Sequence, residues 1–261
     1  MIHFFTFGAG NISRFEYLKI SSENCGLPMN FISNTKWNGY FDKVLFVLNA
    51  IKNIPDNEIV CFVDGFDVLA IGESDEIKDK FLKFDCDVLC GAELNCWPGA
   101  YLGKYNNIKH DTGFRYLNSG GFIGYKHAIM KIYTWKSLED IEAVCKIHSD
   151  QGYFIEYYLA HVNNIDNRIK LDTRAEIFQN MFSVDWNELH FKNGRIVNLI
   201  MNTKPCFLHF NGDSWKTKLG ENIMPVIIDK LMTSAENKDE IVTLSEFKQN
   251  FNEWYFKRNQ L

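Results

Sequence analysis

Nowhere in the 261 residues does an apolar run approach the ~20 residues that a membrane-spanning helix requires. No stretch rich in Pro, Gly and Ser divides the chain, so one domain covering residues 1–261 is expected. Low-complexity tracts and repeats of solenoid length are also lacking. The opening MIHFFTFGAG has neither a basic leader nor a long apolar segment, so it reads as a first strand and turn and no signal peptide is expected; export by another route stays open. Gly8-Ala9-Gly10 falls short of the G-x-G-x-x-G that a dinucleotide-dependent oxidoreductase would carry after its first strand. Excess basic charge is missing as well. A net charge of -5 and a pI near 5.8 argue against a nucleic-acid or anionic-membrane partner. The seven cysteines, Cys25, Cys61, Cys86, Cys90, Cys96, Cys145 and Cys206, are odd in number and form no C-x-x-C pair of the kind that holds zinc. Cys61 and Cys206 sit in apolar runs as small hydrophobes, and a cytoplasmic or other reducing compartment is the expectation.

What the chain does have is apolar and aromatic content spread throughout: 46% hydrophobic residues, with 22 Phe, 11 Tyr and 6 Trp, which argues against disorder and against a low-complexity tail. Ile2 to Phe7 reads as a strand, and Phe41, Val44, Leu45, Leu48 and Ile51 fall at helical spacing. A strand at Ile59 to Val63, a helix with Ser74 as N-cap and a strand at Val88 to Ala92 follow. Asp75 and Glu76 early and Lys80 and Lys83 late give that helix the charge order its dipole prefers. This alternation predicts an α/β fold with parallel strands and right-handed crossovers.

Asp64-Gly65-Phe66-Asp67 directly follows the Ile59 to Val63 strand. Open α/β sheets bind ligands outside the carboxyl ends of their strands, where paired carboxylates suit a hard divalent cation bridging to phosphates. Taken locally, the same four residues also make an ordinary solvated turn. Leu117 to Tyr125 (LNSGGFIGY) reads either as a strand whose backbone approaches a ligand closely or as a glycine-rich turn. A helix is expected from Lys126 to about Glu139, and Ser149 or Asp150 is placed to cap another. Cys206 to Phe210 reads as a strand ended by Asn211-Gly212, in which His209 is either a ligand or a histidine satisfied by a backbone carbonyl. Leu244, Phe247, Phe251 and Trp254 predict a C-terminal helix, capped by Thr243 or Ser245 and serving for packing or as a partner surface.

Several of these segments occur together in a recognisable order: Phe62 to Val68, Cys96-Trp97-Pro98, Arg115 to Tyr125, Asp150-Gln151, Ile177 to Asn180 and His209 to Gly212. The ordered set resembles the glycosyltransferase domain of the multifunctional procollagen lysyl hydroxylases and, more distantly, the glycogenin-like retaining glycosyltransferases. The similarity spans roughly residues 1 to 220 and leaves about 221–261 as a helical extension. The resemblance implies a GT-A type, Rossmann-like nucleotide-sugar-binding fold with a mixed, mainly parallel central sheet and flanking helices. It implies Mn(II), with Mg(II) the alternative, held by Asp64, Asp67 and His209. The donor implied is a UDP-sugar, UDP-glucose or UDP-galactose by preference.

By the same resemblance Thr6, Trp37, Lys43 and Phe66 would contact the nucleotide, Trp97 would wall the sugar or acceptor pocket, and Asn118 and Ser119 would bind sugar hydroxyls. Asp150 and Gln151 would lie at the anomeric carbon, and Lys216, with Lys218 as competitor, would meet the diphosphate. The acceptor implied is a hydroxyl of a protein or glycan, in the collagen-like case hydroxylysine or galactosyl-hydroxylysine. No dioxygenase module is expected. The competing expectation is a noncatalytic nucleotide-sugar-binding or assembly module, and a homo-oligomer stays open.

Overall fold

A computed structural model describes residues 1–10, 15–34, 36–166, 168–192, 195–212, 223–229, 242–244 and 246. Along the chain run β1 (Ile2–Ala9), α1 (Glu16–Asn24), β2 (Met29–Asn34), α2 (Phe41–Ile51), β3 (Ile59–Asp64), β4 (Val68–Ala70), α3 (Ser74–Lys83) and β5 (Val88–Glu93). They continue with β6 (Tyr116–Tyr125), α4 (Lys126–Tyr133), α5 (Leu138–His161), β7 (Ile169–Asp172), β8 (Phe178–Asn180), β9 (Leu189–Lys192), β10 (Arg195–Asn198), β11 (Phe207–His209) and β12 (Val242–Thr243). The six-stranded central sheet has the order β2-β1-β3-β6-β5-β7, with β6 antiparallel to its neighbours and the other pairings parallel. Beside it, among the described residues, stand two three-stranded sheets, β4-β11-β8 and β10-β9-β12.

Strand alternation gives the central sheet two apolar faces, which is why helices cover both. Val60, Phe62 and Phe122 point to the side packed by α2, α4 and α5, where Val44, Val47, Ile51, Ile129, Ile132, Phe154 and Tyr158 are buried. Their neighbours Cys61, Val63 and Ile123 face the other way, toward Leu18 of α1 and Ile77 and Phe81 of α3. The small sheets form a third cluster around Leu69, Phe191, Leu208 and Phe210, joined by Ile223, Met224 and Ile227 and by the fully buried Leu244.

The structure departs from the sequence expectation at several element boundaries. Helix α1 and strand β2 have no counterpart in that expectation: α1 buries only Leu18, Ser21 and Ser22, and β2 lies half-exposed at the sheet edge, so neither carries a strong apolar period. Glu73, not Ser74, is the N-cap of α3. The helix expected through Glu139 ends at Tyr133, since Ser137 starts α5 by accepting a hydrogen bond from Asp140 N (3.2 Å). At the C-terminal end, Thr243 Oγ1 accepts from Glu246 N (3.1 Å) and Glu246 Oε2 accepts from Thr243 N (2.7 Å), the reciprocal pair of a capping box. Phe247, Phe251 and Trp254 lie outside the described residues.

Candidate active site

The site lies at the carboxyl ends of β1, β3 and β5, where a cavity of about 790 Å³ opens. Asp64 ends β3 and Asp67 precedes β4, so the turn between two strands of different sheets carries both carboxylates. The register of β11 on β4, His209 opposite Val68, brings the imidazole alongside, and Phe210 N donates to Asp67 O (2.8 Å) to fix the turn against that strand. Donor atoms of Asp64, Asp67 and His209 lie within 4.8 Å of one another. His209 Nε2 is 3.8 Å from Asp64 Oδ2 and 3.5 Å from Asp67 Oδ2.

The bonds around His209 decide which ring nitrogen is available. Asn180 Nδ2 donates to Ala92 O (2.8 Å), which turns Asn180 Oδ1 toward His209 and makes it accept from Nδ1 (2.8 Å). Nε2 is thereby aimed at the carboxylates, the arrangement in which an outer carbonyl fixes the tautomer of a metal-binding histidine. Burial opposes a charge on the ring, but Asp67 and Asp64 outweigh it and raise the pKa. Two carboxylates and one oriented imidazole make a donor set suited to Mn(II) or Mg(II) and poor for a thiolate-seeking metal.

Gly120 lets this cluster exist. A Cβ there would stand 2.1 Å from His209 Cε1 and 2.8 Å from Asp64 Oδ2. The residue belongs to an irregularity in β6: Cys90 pairs with Phe122 and Gly91 with Asn118, so residues 119–121 bulge out of the β5 ladder toward the site. Gly65 is confined in the same way, between the Phe15 ring and Phe7 O.

Lys43 joins the carboxylates of β3 and α5. Its Nζ lies 2.7 Å from Asp64 Oδ1 and 2.9 Å from Asp150 Oδ2, and donates to Ser119 O at 3.2 Å. Burial works against the ammonium, yet Asp150 and Asp64 hold its pKa above the ordinary lysine value. Asp150 itself is 5% exposed, and its Oδ2 also accepts from Ser119 Oγ (2.9 Å). It sits at a break in α5, where Ser149 adopts φ 60°, ψ -179° and its Oγ accepts from Gln151 N (3.1 Å). That backbone region is nearly restricted to glycine, so the break is strained as well as capped.

Asn118 and Gln151 spend most of their hydrogen-bonding capacity inside the protein. Asn118 Oδ1 accepts from Gly120 N (2.9 Å) and its Nδ2 donates to Glu93 Oε1 (3.0 Å). Gln151 Oε1 accepts from Ser119 N (3.1 Å), while Nε2 donates to Glu93 Oε1 (2.9 Å) and Trp97 O (2.6 Å). Trp97, 51% exposed, walls one side of the cavity. Trp37, another wall residue, stands 6.1 Å from Phe7 and edge-on to Tyr40 at 5.6 Å. Phe66 also lines the cavity, resting on Phe15 at 5.2 Å.

Two expected site residues behave differently from the rest. The Thr6 side chain is fully buried away from the cavity lining, and its hydroxyl finds no hydrogen-bond partner among the described residues. Lys216 and its competitor Lys218 lie outside the described residues. Conversely, Glu93, Asn180, Asn211 and Phe182 belong to the site without a role assigned to them from sequence. Glu93 has a signal that could find it, because it ends β5 as Asp64 ends β3. The expected backbone-carbonyl partner of His209 is replaced by the Asn180 side chain.

Known proteins resemble the chain in fold and in sequence. A glycosyltransferase involved in glycosylation of the major capsid of PBCV-1 superposes with a TM-score of 0.50 at 12% identity, covering 85% of this chain and 99% of its own; the shared fold is of the GT-A type. An uncharacterised protein of Acanthamoeba polyphaga mimivirus is 32% identical over 69% of this chain and 39% of its own length. The multifunctional procollagen lysine hydroxylase and glycosyltransferase of Caenorhabditis elegans is 33% identical over 69% of this chain, and procollagen-lysine,2-oxoglutarate 5-dioxygenase 1 of Gallus gallus is 32% identical over 73%. In each of these two animal relatives the matched region is only 26% of the full length. The family profile described as the PLOD GT domain matches residues 25–237, and the chain belongs to that glycosyltransferase family.

Proposed function

We propose that the chain transfers a hexose from a UDP-sugar, UDP-glucose or UDP-galactose, to an acceptor hydroxyl with retention at the anomeric carbon, in the presence of Mn(II) or Mg(II). The observation that carries this reading is the convergence of Asp64, Asp67 and His209 donor atoms within 4.8 Å at the cavity, beside the Lys43–Asp150 pair. When bound there, a divalent cation supplies Lewis-acid stabilisation of the diphosphate charge that grows as the sugar leaves. The protein supplies the rest of the arrangement. Lys43 places a buried positive charge between the metal ligands and Asp150, where the phosphate-to-sugar bond would lie. Stabilisation that strengthens as the leaving group charges is what accelerates the step.

Asp150 is held through Oδ2 by Lys43 and Ser119, and Oδ1 takes no hydrogen bond from the described residues. Its carboxylate is thus fixed to face an oxocarbenium-like centre or to attack it; both routes give retention. Gln151, its amide engaged by Ser119 N, Glu93 and Trp97 O, acts by holding the wall of the pocket. Trp37, Tyr40, Phe7 and Phe66 form the aromatic end suited to a nucleobase, and Trp97 offers a flat surface to the C–H face of a sugar. The acceptor in this reading is hydroxylysine or galactosyl-hydroxylysine of a collagen-like protein, supported by relatives named as procollagen lysine hydroxylases and glycosyltransferases.

A panel of UDP-sugars with and without Mn(II), followed by mass spectrometry of candidate acceptors and anomer-resolved NMR of the product, tests the reading. The expected product from an α-linked donor is α-linked; a β-linked product rejects retention. Asp67→Asn should keep the fold and lower metal-dependent UDP binding by at least about tenfold. Turnover at the wild-type rate in that variant removes Asp67 from the metal shell. Binding of UDP-sugar with neither transfer nor hydrolysis would favour the noncatalytic module.

A further inference from the structure

Glu93 is the carboxylate that the proposed transfer does not use. It is 3% exposed, and burial pushes its carboxyl above the usual range against the pull of its amide partners. Three side-chain amides from three different parts of the chain donate to it. Oε1 accepts from Asn118 Nδ2 on β6 (3.0 Å) and Gln151 Nε2 on α5 (2.9 Å), and Oε2 accepts from Asn211 Nδ2 after β11 (2.9 Å). Each amide therefore turns its oxygen away from Glu93 and onto backbone N–H groups that shape the pocket. Asn118 Oδ1 takes Gly120 N, Gln151 Oε1 takes Ser119 N, and Asn211 Oδ1 takes Met181 N (3.1 Å) and Phe182 N (3.0 Å).

We propose that Glu93 is a positioning residue that sets the polarity of Asn118, Gln151 and Asn211 at once, and through them fixes the Ser119–Gly120 bulge and the Phe182 wall of the donor pocket. An amide has one accepting and one donating end, so reversing any of the three would set N–H against N–H. A neutral amide in place of Glu93 cannot do the same work. With two donors on the Oε1 side, the glutamine of a Glu93→Gln variant would keep its oxygen there and turn its NH2 toward Asn211 Nδ2. Either the clash pushes the Asn211 side chain away or the amide flips, and both take its oxygen off the Met181 and Phe182 amides. Converting Asn211 to aspartate removes the conflict: one carboxylate oxygen accepts from the introduced glutamine and the other keeps the two backbone amides.

The inference rests on the proposed donor site for its functional meaning, but its test reads the ligand-free protein. In Glu93→Gln, hydrogen exchange at the Phe182 amide should rise about tenfold, the scale of one buried unsatisfied polar group, while Ser119 and Gly120 stay slow. Glu93→Ala should release all three. The double variant Glu93→Gln/Asn211→Asp should return Phe182 to the wild-type rate and regain the affinity for Mn(II) plus UDP that Glu93→Gln loses, measured by calorimetry. A Glu93→Gln protein that exchanges like the wild type, or a double variant no slower than the single one or unable to fold, overturns the proposal. Folding of the double variant where the single one fails supports it. A wild-type protein that binds no UDP would sink the transfer reading and leave the exchange pattern to judge Glu93 alone.

Discussion

At the scale of single residues, the site is governed by what cannot be larger and what cannot turn. Gly120 has no room for a methyl group, since His209 and Asp64 would both have to retreat. Gly120→Ala is expected to lower divalent-metal affinity by more than about tenfold and to cost about 1–3 kcal/mol of stability through overpacking; calorimetric titration and thermal unfolding check the two effects. Retention of wild-type affinity would show that His209 does not share a metal with Asp64. The two acids and the histidine are legible in the sequence because carboxylates at the end of an apolar strand need a reason to be there, and the family motifs supply the third member. Asn180 and Asn211 are not, although their segments are in view, because an amide's importance lies in which way it points. That orientation depends on partners from 29 to 118 residues away in the chain.

At the scale of elements, α5 is the least ordinary piece. A helix of 24 residues contains one non-helical residue, Ser149, immediately before Asp150. Two substitutions separate its two contributions. Ser149→Ala removes the hydroxyl that accepts from Gln151 N and should destabilise by about 1 kcal/mol. Ser149→Gly loses the same hydroxyl but relieves the positive φ, so it should exceed the alanine variant by about 1 kcal/mol after its greater unfolded-state entropy is counted. Equal stability of the two, by denaturant titration, would mean that the break holds no strain. The break is half-visible in the sequence: Ser149 reads as a cap, but nothing in the local pattern shows a helix on both sides.

Helix α3 is fastened to the smaller sheets by an ion cluster. Glu76 receives Arg195 through both oxygens (2.6 and 3.0 Å) and pairs with Lys80 (2.7 Å), while Arg195 reaches Pro205 O (3.0 Å). Burial opposes the Glu76 charge, but Arg195 and Lys80 prevail and hold its pKa below the ordinary 4.5. A carboxyl lowered on folding contributes stability above its unfolded pKa and loses it as pH falls through the folded value. Glu76→Gln should therefore cost about 1 kcal/mol at neutral pH, and its deficit should shrink below about pH 4.5. A deficit unchanged down to pH 3 would contradict the ion-pair account.

At the scale of the whole molecule, the alternation of strands and helices through residue 92 indicates the class of fold, whereas sheet order does not follow from it. Strand β6 enters the centre of the sheet from a position after both of its neighbours, and only tertiary pairing decides that. Pairing between sheets has its own consequence for the cluster of Asp64, Asp67 and His209. These side chains hang from main chain already tied strand to strand, with Phe210 N on Asp67 O closing the connection. Cation capture at the proposed site would therefore demand no folding step, because strand pairing already holds the three donors together. Selectivity among ions should follow radius and hydration more than any yielding of the protein, and exchange of one ion for another should leave the backbone where it stands.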